Sequence, residues 1–173
     1  METVEIKKID LSDLKELQEI GIQTFSETFA EVNSEENMTQ YLTEKFSVEK
    51  LTAELTNPNS EFYFALLGEK VVGYLKVNFA AAQTELQDKN ALELERIYVL
   101  KDFKGNKIGQ LLYEKTVKIA QNSNLKYIWL GVWEENHSAL HFYRKNGFIE
   151  FDQHIFRLGD EEQTDLLMKL TLK

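Results

Sequence analysis

The apolar residues of this chain change period repeatedly along its length, and that succession narrows the choice of fold more than any other feature. Val4 and Ile6 alternate with polar neighbours over Thr3–Ile9, a period of two that predicts a half-buried strand. From Asp10, a helix-cap residue, the spacing lengthens, and Leu14, Leu17, Ile20 and Phe25 mark one buried helical face. Further helices are expected over Ser34–Phe46 and Val48–Leu55, ended by the Asn57-Pro58-Asn59 turn that holds the only proline. Glu61–Leu67 and Val71–Asn78, joined by Gly68-Glu69-Lys70, predict an antiparallel hairpin. Leu92–Leu100 alternates again and precedes a helix over Ile108–Ala120 with the face Ile108, Leu111, Leu112 and Ile119. A strand at Tyr127–Val132, a helix at Ser138–Lys145 stopped by Gly147, and strands at Phe148–Phe156 and Asp165–Leu172 complete the order. The result is an α+β (mixed α/β) fold, and 173 residues fit one domain spanning 1–173.

Composition removes several functions. With no cysteine, disulfides, thiolate nucleophiles and Cys-bound zinc are excluded, and the chemistry falls to carboxylate, His, Tyr, Ser, Lys or backbone groups. A net charge of −9 disfavours nucleic acid and anionic membrane as partners and favours cations. No apolar run approaches the length of a membrane span, and METVEIKKIDLSDL lacks the apolar core of a signal peptide, so a cytoplasmic protein is expected. His137 and His141 stand four apart on one helical face, but Ser138 replaces the glutamate of a zinc-protease helix, and no metal is expected. A homodimer is compatible with the sequence.

The segment richest in chemistry is a strand, a short basic loop with glycines, and a helix. Lys101-Asp102-Phe103-Lys104-Gly105-Asn106-Lys107-Ile108-Gly109 offers unpaired backbone N–H groups at a positive helix terminus, which suits a diphosphate; an ordinary turn with solvated lysines has the same composition. Neither a Walker loop nor GxGxxG is present. A second unusual run is Asn136-His137-Ser138-Ala139-Leu140-His141-Phe142-Tyr143-Arg144-Lys145-Asn146-Gly147-Phe148. On its own it reads as a helix cap followed by core aromatics.

Together the two runs resemble the GNAT superfamily of acetyl-CoA-dependent N-acetyltransferases. The superfamily's diphosphate loop is (Gln/Arg)-x-x-Gly-x-(Gly/Ala), with Lys104 at its first position here and Gly109 at its last. Lys107 stands where the family has the middle glycine, whose missing Cβ lets phosphate oxygens approach the backbone. The second run is similar to Asn-x-x-Ala-x-x-Phe-Tyr-x-x-x-Gly-Phe at each named position. Across nearly the whole chain the sequence resembles the PaiA-type spermidine/spermine N-acetyltransferases. Glu27-Thr28-Phe29, Ser34-Glu35-Glu36-Asn37-Met38, Leu94-Glu95-Arg96-Ile97-Tyr98, Ile128-Trp129-Leu130-Gly131-Val132-Trp133-Glu134 and Gly159-Asp160-Glu161-Glu162-Gln163-Thr164-Asp165-Leu166 carry that likeness.

The resemblance implies a mixed, mostly antiparallel sheet flanked by helices and splayed between its fourth and fifth strands, with acetyl-CoA as co-substrate and a polyamine as acceptor. An alkylamine of pKa near 10.4 must lose a proton before it attacks. The resemblance gives that task to Glu95, with Glu93 on the same strand face helping to bind the cation. It implies Tyr143 as the acid that protonates the departing thiolate. The backbone of Ile97, Tyr98 and Val99 would pair with the pantetheine arm, the loop Lys104, Gly105, Asn106, Lys107, Ile108 and Gly109 would hold the diphosphate, and Asn136 and Lys145 would contact the coenzyme. Trp133 forms a cleft wall, and Glu27, with Glu31, Glu35 and Glu36, rims an amine pocket or is merely a solvated helix face. The alternatives are acetylation of another amine, small or on a protein, or a non-catalytic acyl-CoA-binding regulator.

Overall fold

The computed structural model describes residues 3–173, so Met1 and Glu2 of the N-terminal stretch lie outside it. In chain order the elements are β1 (Val4–Lys8), α1 (Leu14–Phe29), α2 (Glu35–Lys45), α3 (Val48–Thr56), β2 (Ser60–Leu67), β3 (Lys70–Phe79), β4 (Ala91–Val99), α4 (Ile108–Asn122), β5 (Tyr127–Trp133), α5 (His137–Lys145), β6 (Ile149–Leu158) and β7 (Glu161–Thr171). Serine caps start the second and third helices: Ser34 Oγ accepts the Asn37 N–H, and Ser47 Oγ accepts that of Lys50. Asp10 caps a short 3₁₀ turn that leads into α1.

The strands form one sheet in the order β1-β2-β3-β4-β5-β7-β6. Every neighbouring pair is antiparallel except β4 and β5, which α4 connects as a crossover. That parallel pair holds for only three residues, Ala91↔Tyr127, Leu92↔Ile128 and Glu93↔Trp129. Beyond Glu93 and Trp129 the two strands part, and the sheet is split there as expected.

Each face of the sheet carries its own core. One packs Leu17, Ile20, Phe25, Phe29 and Leu51 of α1 and α3 against Phe62, Phe64 and Tyr74. The other packs Ile108 and Leu112 of α4 and Tyr143 of α5 against Leu75, Leu94, Ile128 and Leu130. The buried stripe of α4 runs Ile108, Leu112, Thr116, Ile119, whereas Leu111, expected on that face, is exposed. Thr116 takes the core position because its hydroxyl donates to the Leu112 carbonyl and carries no unmet bond inside. The last strand starts at Glu161 rather than Asp165, since its polar first residues pair with β6 in a long hairpin.

The tip of that hairpin is tied to α2. Asn37 Nδ2 donates to Asp160 Oδ1 at 2.7 Å and Glu161 Oε1 at 3.1 Å, and the Ser34 N–H donates to the same Glu161 oxygen. Gln163 Nε2 donates to Asn33 Oδ1 nearby, and the rings of Phe29 and Trp133 meet at 5.7 Å.

Candidate active site

The split between β4 and β5 opens into a cavity of about 1210 Å³. The coenzyme and catalytic residues nominated from the sequence line it, with Glu27, Glu93 and Trp133, except Asn106, whose side chain turns back to donate to the Phe103 carbonyl. Glu31, Glu35 and Glu36 also lie outside its lining.

On the α4 side of the sheet the wall is built to receive an anion. Among the described residues, the N–H groups from Gly105 to Gln110 donate to no protein acceptor, and they cluster where the helix dipole is positive. Lys104, Lys107 and Lys145 are exposed around the same end of the cavity. A Cβ at Gly109 would meet only Val99 Cγ2, at 4.0 Å, so the helix start is open on that side. Lys107 has φ 62° and ψ 18°, the left-handed conformation. That backbone requirement is a second reason for glycine at this position, beyond close phosphate approach. These free donors and cations fit the diphosphate of a coenzyme A.

Next to this wall, Ile97, Tyr98 and Val99 pair with β3 on one side and face the split on the other. An unpaired strand edge of this kind can take the amides of a pantetheine arm as an added strand. Tyr143 is buried beside Phe142 and Phe148, and burial pushes its phenol well above the usual range, so it holds its proton at neutral pH. Asn136 starts α5 by accepting the Ala139 N–H at its Oδ1.

The opposite face, beneath α1 and α2, holds the carboxylates of the cavity. Here the β3–β4 register steps from Lys76↔Arg96 to Val77↔Leu94, leaving Glu95 as an extra residue in a bulge. Glu95 meets Lys76 at 2.7 Å and Arg96 at 3.1 Å, and Glu54 of α3 meets the same two cations at 3.0 Å each. Burial alone would raise the Glu95 carboxyl, but Arg96 and Lys76 outweigh it and hold the group at about 2. Glu93 is buried, accepts from the Thr84 N–H and hydroxyl and from Asn78 Nδ2, and is raised by burial despite those bonds. Asn78 also donates to Glu95 at 2.8 Å, so one amide bridges the two carboxylates. Glu27 accepts the Lys101 N–H at 3.0 Å on the rim.

Three further lining residues escaped the sequence reading as functional groups: Glu85, His154 and Asp165. His154 lies between the two acids, 2.9 Å from Glu85 and 3.7 Å from Asp165. They come from a loop and two late strands, and only the strand register brings them together. Among the described residues no group of three or more His, Asp or Glu is placed to hold a metal ion, and no helix is long and apolar enough to cross a membrane.

Residues 22–148 match the Acetyltransferase (GNAT) family. An uncharacterised N-acetyltransferase from the pepI 3′ region of Lactobacillus delbrueckii subsp. lactis is 40% identical over 172 residues, covering 99% of both chains. The spermidine N(1)-acetyltransferase of Thermoplasma acidophilum is 28% identical over 171 residues, 96% of each chain. In three dimensions the chain is similar to the crystal structure of the PaiA N-acetyltransferase from Thermoplasma acidophilum in complex with coenzyme A. The TM-score is 0.81 at 28% identity, covering 98% of this chain and 99% of that one.

Proposed function

Since the chain belongs to the GNAT family of acetyltransferases, we propose that it moves the acetyl group of acetyl-CoA to a primary amine of a polyamine such as spermidine. The observation that carries this reading is the two-sided cavity: free N–H groups and lysines at one end, carboxylates and aromatic rings at the other. A linear polycation matches the second end as a diphosphate matches the first.

Acetyl-CoA supplies a thioester whose acetyl group an amine can take. The loop Lys104–Gly109 and Lys145 bind its phosphates, the edge of Ile97, Tyr98 and Val99 aligns its arm, and Asn136 lies beside it. Glu95, ionised at neutral pH, draws the ammonium in and orients the water through which the proton leaves. A carboxylate held at about 2 keeps little of that proton, so its task is relay rather than storage. Tyr143, which stays protonated, gives its proton to the departing thiolate. Glu93, Glu27 and Trp133 shape the acceptor side around the amine.

The test is thiol release from acetyl-CoA over polyamines, amino acids, aminoglycosides and peptides. Spermidine and spermine are expected to give the highest kcat/KM. Turnover of another amine class above both would replace the substrate assignment, and coenzyme binding with no thiol release on any amine would favour the regulator.

A further inference from the structure

The acceptor side is rich in carboxylates, yet nearly all of them are already engaged. Glu54 and Glu95 share Lys76 and Arg96, Glu93 accepts three donors, Glu27 holds the Lys101 N–H, and Glu85 faces His154. Asp165 differs. Its side chain is only 17% exposed, no donor among the described residues reaches it within hydrogen-bonding distance, and its one ion-pair contact among them is the His154 imidazole, Nε2 at 3.7 Å. Holding a largely buried carboxylate with no hydrogen-bond donor and only a distant imidazole, shared with Glu85, is costly, and this one lines the cavity.

We propose that Asp165 receives the second ammonium group of the substrate and so determines that a diamine or polyamine is preferred over a monoamine. This rests on the amine acetyltransferase reading above. Trp133, Asp165 and His154 are in register across β5, β7 and β6, so their side chains stand in one row on one face of the sheet. It is the face of Trp129, paired with Glu93, and of Phe29, which touches Trp133. An ammonium beside Asp165 therefore has an indole as its neighbour, a second favourable contact for a cation.

Gly131 keeps the approach open. It sits two residues before Trp133 on the same face, and a Cβ there would come to 3.8 Å from both Asp165 Oδ2 and His154 Cε1. Any longer side chain would cover the carboxylate. β7 lies one strand spacing from β5, which borders the split where the acetyl group is delivered. A short methylene chain spans that offset, so one amine can react while the next rests on Asp165. Burial raises the Asp165 carboxyl to about 6, partly offset by His154, which leaves it largely ionised at neutral pH.

The experiment compares kcat/KM for spermidine and for butylamine in the wild-type protein and in Asp165→Asn. The spermidine-to-butylamine ratio is expected to fall on the order of 10- to 100-fold in the variant, the range for losing a hydrogen bond to a charged group. A neutral amide relieves a buried charge that only the distant His154 imidazole faces, so the variant is expected to melt no lower than wild type. A clear drop in melting temperature would show that the carboxylate is already partnered and would overturn the inference. An unchanged ratio in Asp165→Asn, with wild type preferring spermidine, would overturn it while leaving the polyamine reading intact. A wild-type protein with no preference for spermidine would overturn both.

Discussion

Replacing Lys107 separates a backbone effect from a charge effect. The residue is exposed, makes no capping bond with its side chain, and holds φ at 62° just before α4 begins. For a residue with a Cβ the left-handed region costs about 1–2 kcal/mol, which glycine does not incur. Glycine returns roughly 0.4–1 kcal/mol of this through the greater freedom of its unfolded chain. Lys107→Gly is thus expected to stabilise by about 0.5–1 kcal/mol, which for a domain of this size raises Tm by roughly 1–4 °C. Lys107→Ala retains the Cβ and is expected to gain nothing. Both variants lose the ammonium near the proposed diphosphate site and are expected to bind coenzyme A a few-fold more weakly, with a shallower salt dependence. Thermal denaturation and calorimetric titration at two salt concentrations read the two effects separately. Equal melting temperatures for the Gly and Ala variants would refute the strain argument, and unaltered affinity in both would refute the charge argument.

Tyr143→Phe keeps the ring in its core and is expected to lower kcat by about 10²–10⁴-fold with coenzyme affinity unchanged, measured by thiol release and titration; undiminished turnover would remove the phenol from the mechanism. Glu95→Gln leaves Lys76 and Arg96 to Glu54 alone and is expected to cost about 3 kcal/mol of stability at pH 7, the low end for breaking a buried pair. Because the Glu95 carboxyl is lowered from 4.5 to about 2, that stabilisation is present above 4.5 and lost as pH falls through 2. Denaturant melts of the two proteins should therefore converge in strong acid, and a gap independent of pH would contradict the ion-pair account. The spermidine preference is expected to decline as pH falls through about 6, where Asp165 takes up a proton. His154 on β6 and Glu85 in the loop before β4 face it, so the same profile on Asp165→Asn identifies which group is responsible.

Local patterns carried much of the fold. Hairpin chemistry at Gly68, the apolar face of α1 and, apart from Leu111, that of α4 each depend on neighbours within a few residues, and each was visible in the sequence. What depended on distant partners was not. The bulge at Glu95 leaves the alternation of Glu93 and Glu95 undisturbed, so a period-two pattern gives no sign of the extra residue. Those two acids were legible as a pair, but not that Lys76, Arg96 and Thr84 already occupy them, because the partners lie on other elements. Asp165 belongs to a segment that carried the family resemblance, yet its place in the cavity follows only from the β5–β7–β6 register. At Lys107 the comparison of motifs located the departure from glycine; the dihedral angle supplied its physical meaning.

The tie between α2 and the β6–β7 hairpin bears on how the cleft is held. The half-sheet of β1 to β4 and the half-sheet of β5 to β7 share only three residue pairs, at one end of the split. Backbone pairing between the halves ends there, and the α4-side core, which packs Leu75 and Leu94 with Ile128 and Leu130, joins them on one face only. The bonds from Asn33, Ser34 and Asn37 to the far strand, with the Phe29–Trp133 contact, fasten the halves a second time beyond the split. A gap fastened at two places keeps its width without a guest. A pantetheine arm bound as proposed would slide between walls already set apart, and little of its binding free energy would go into parting them.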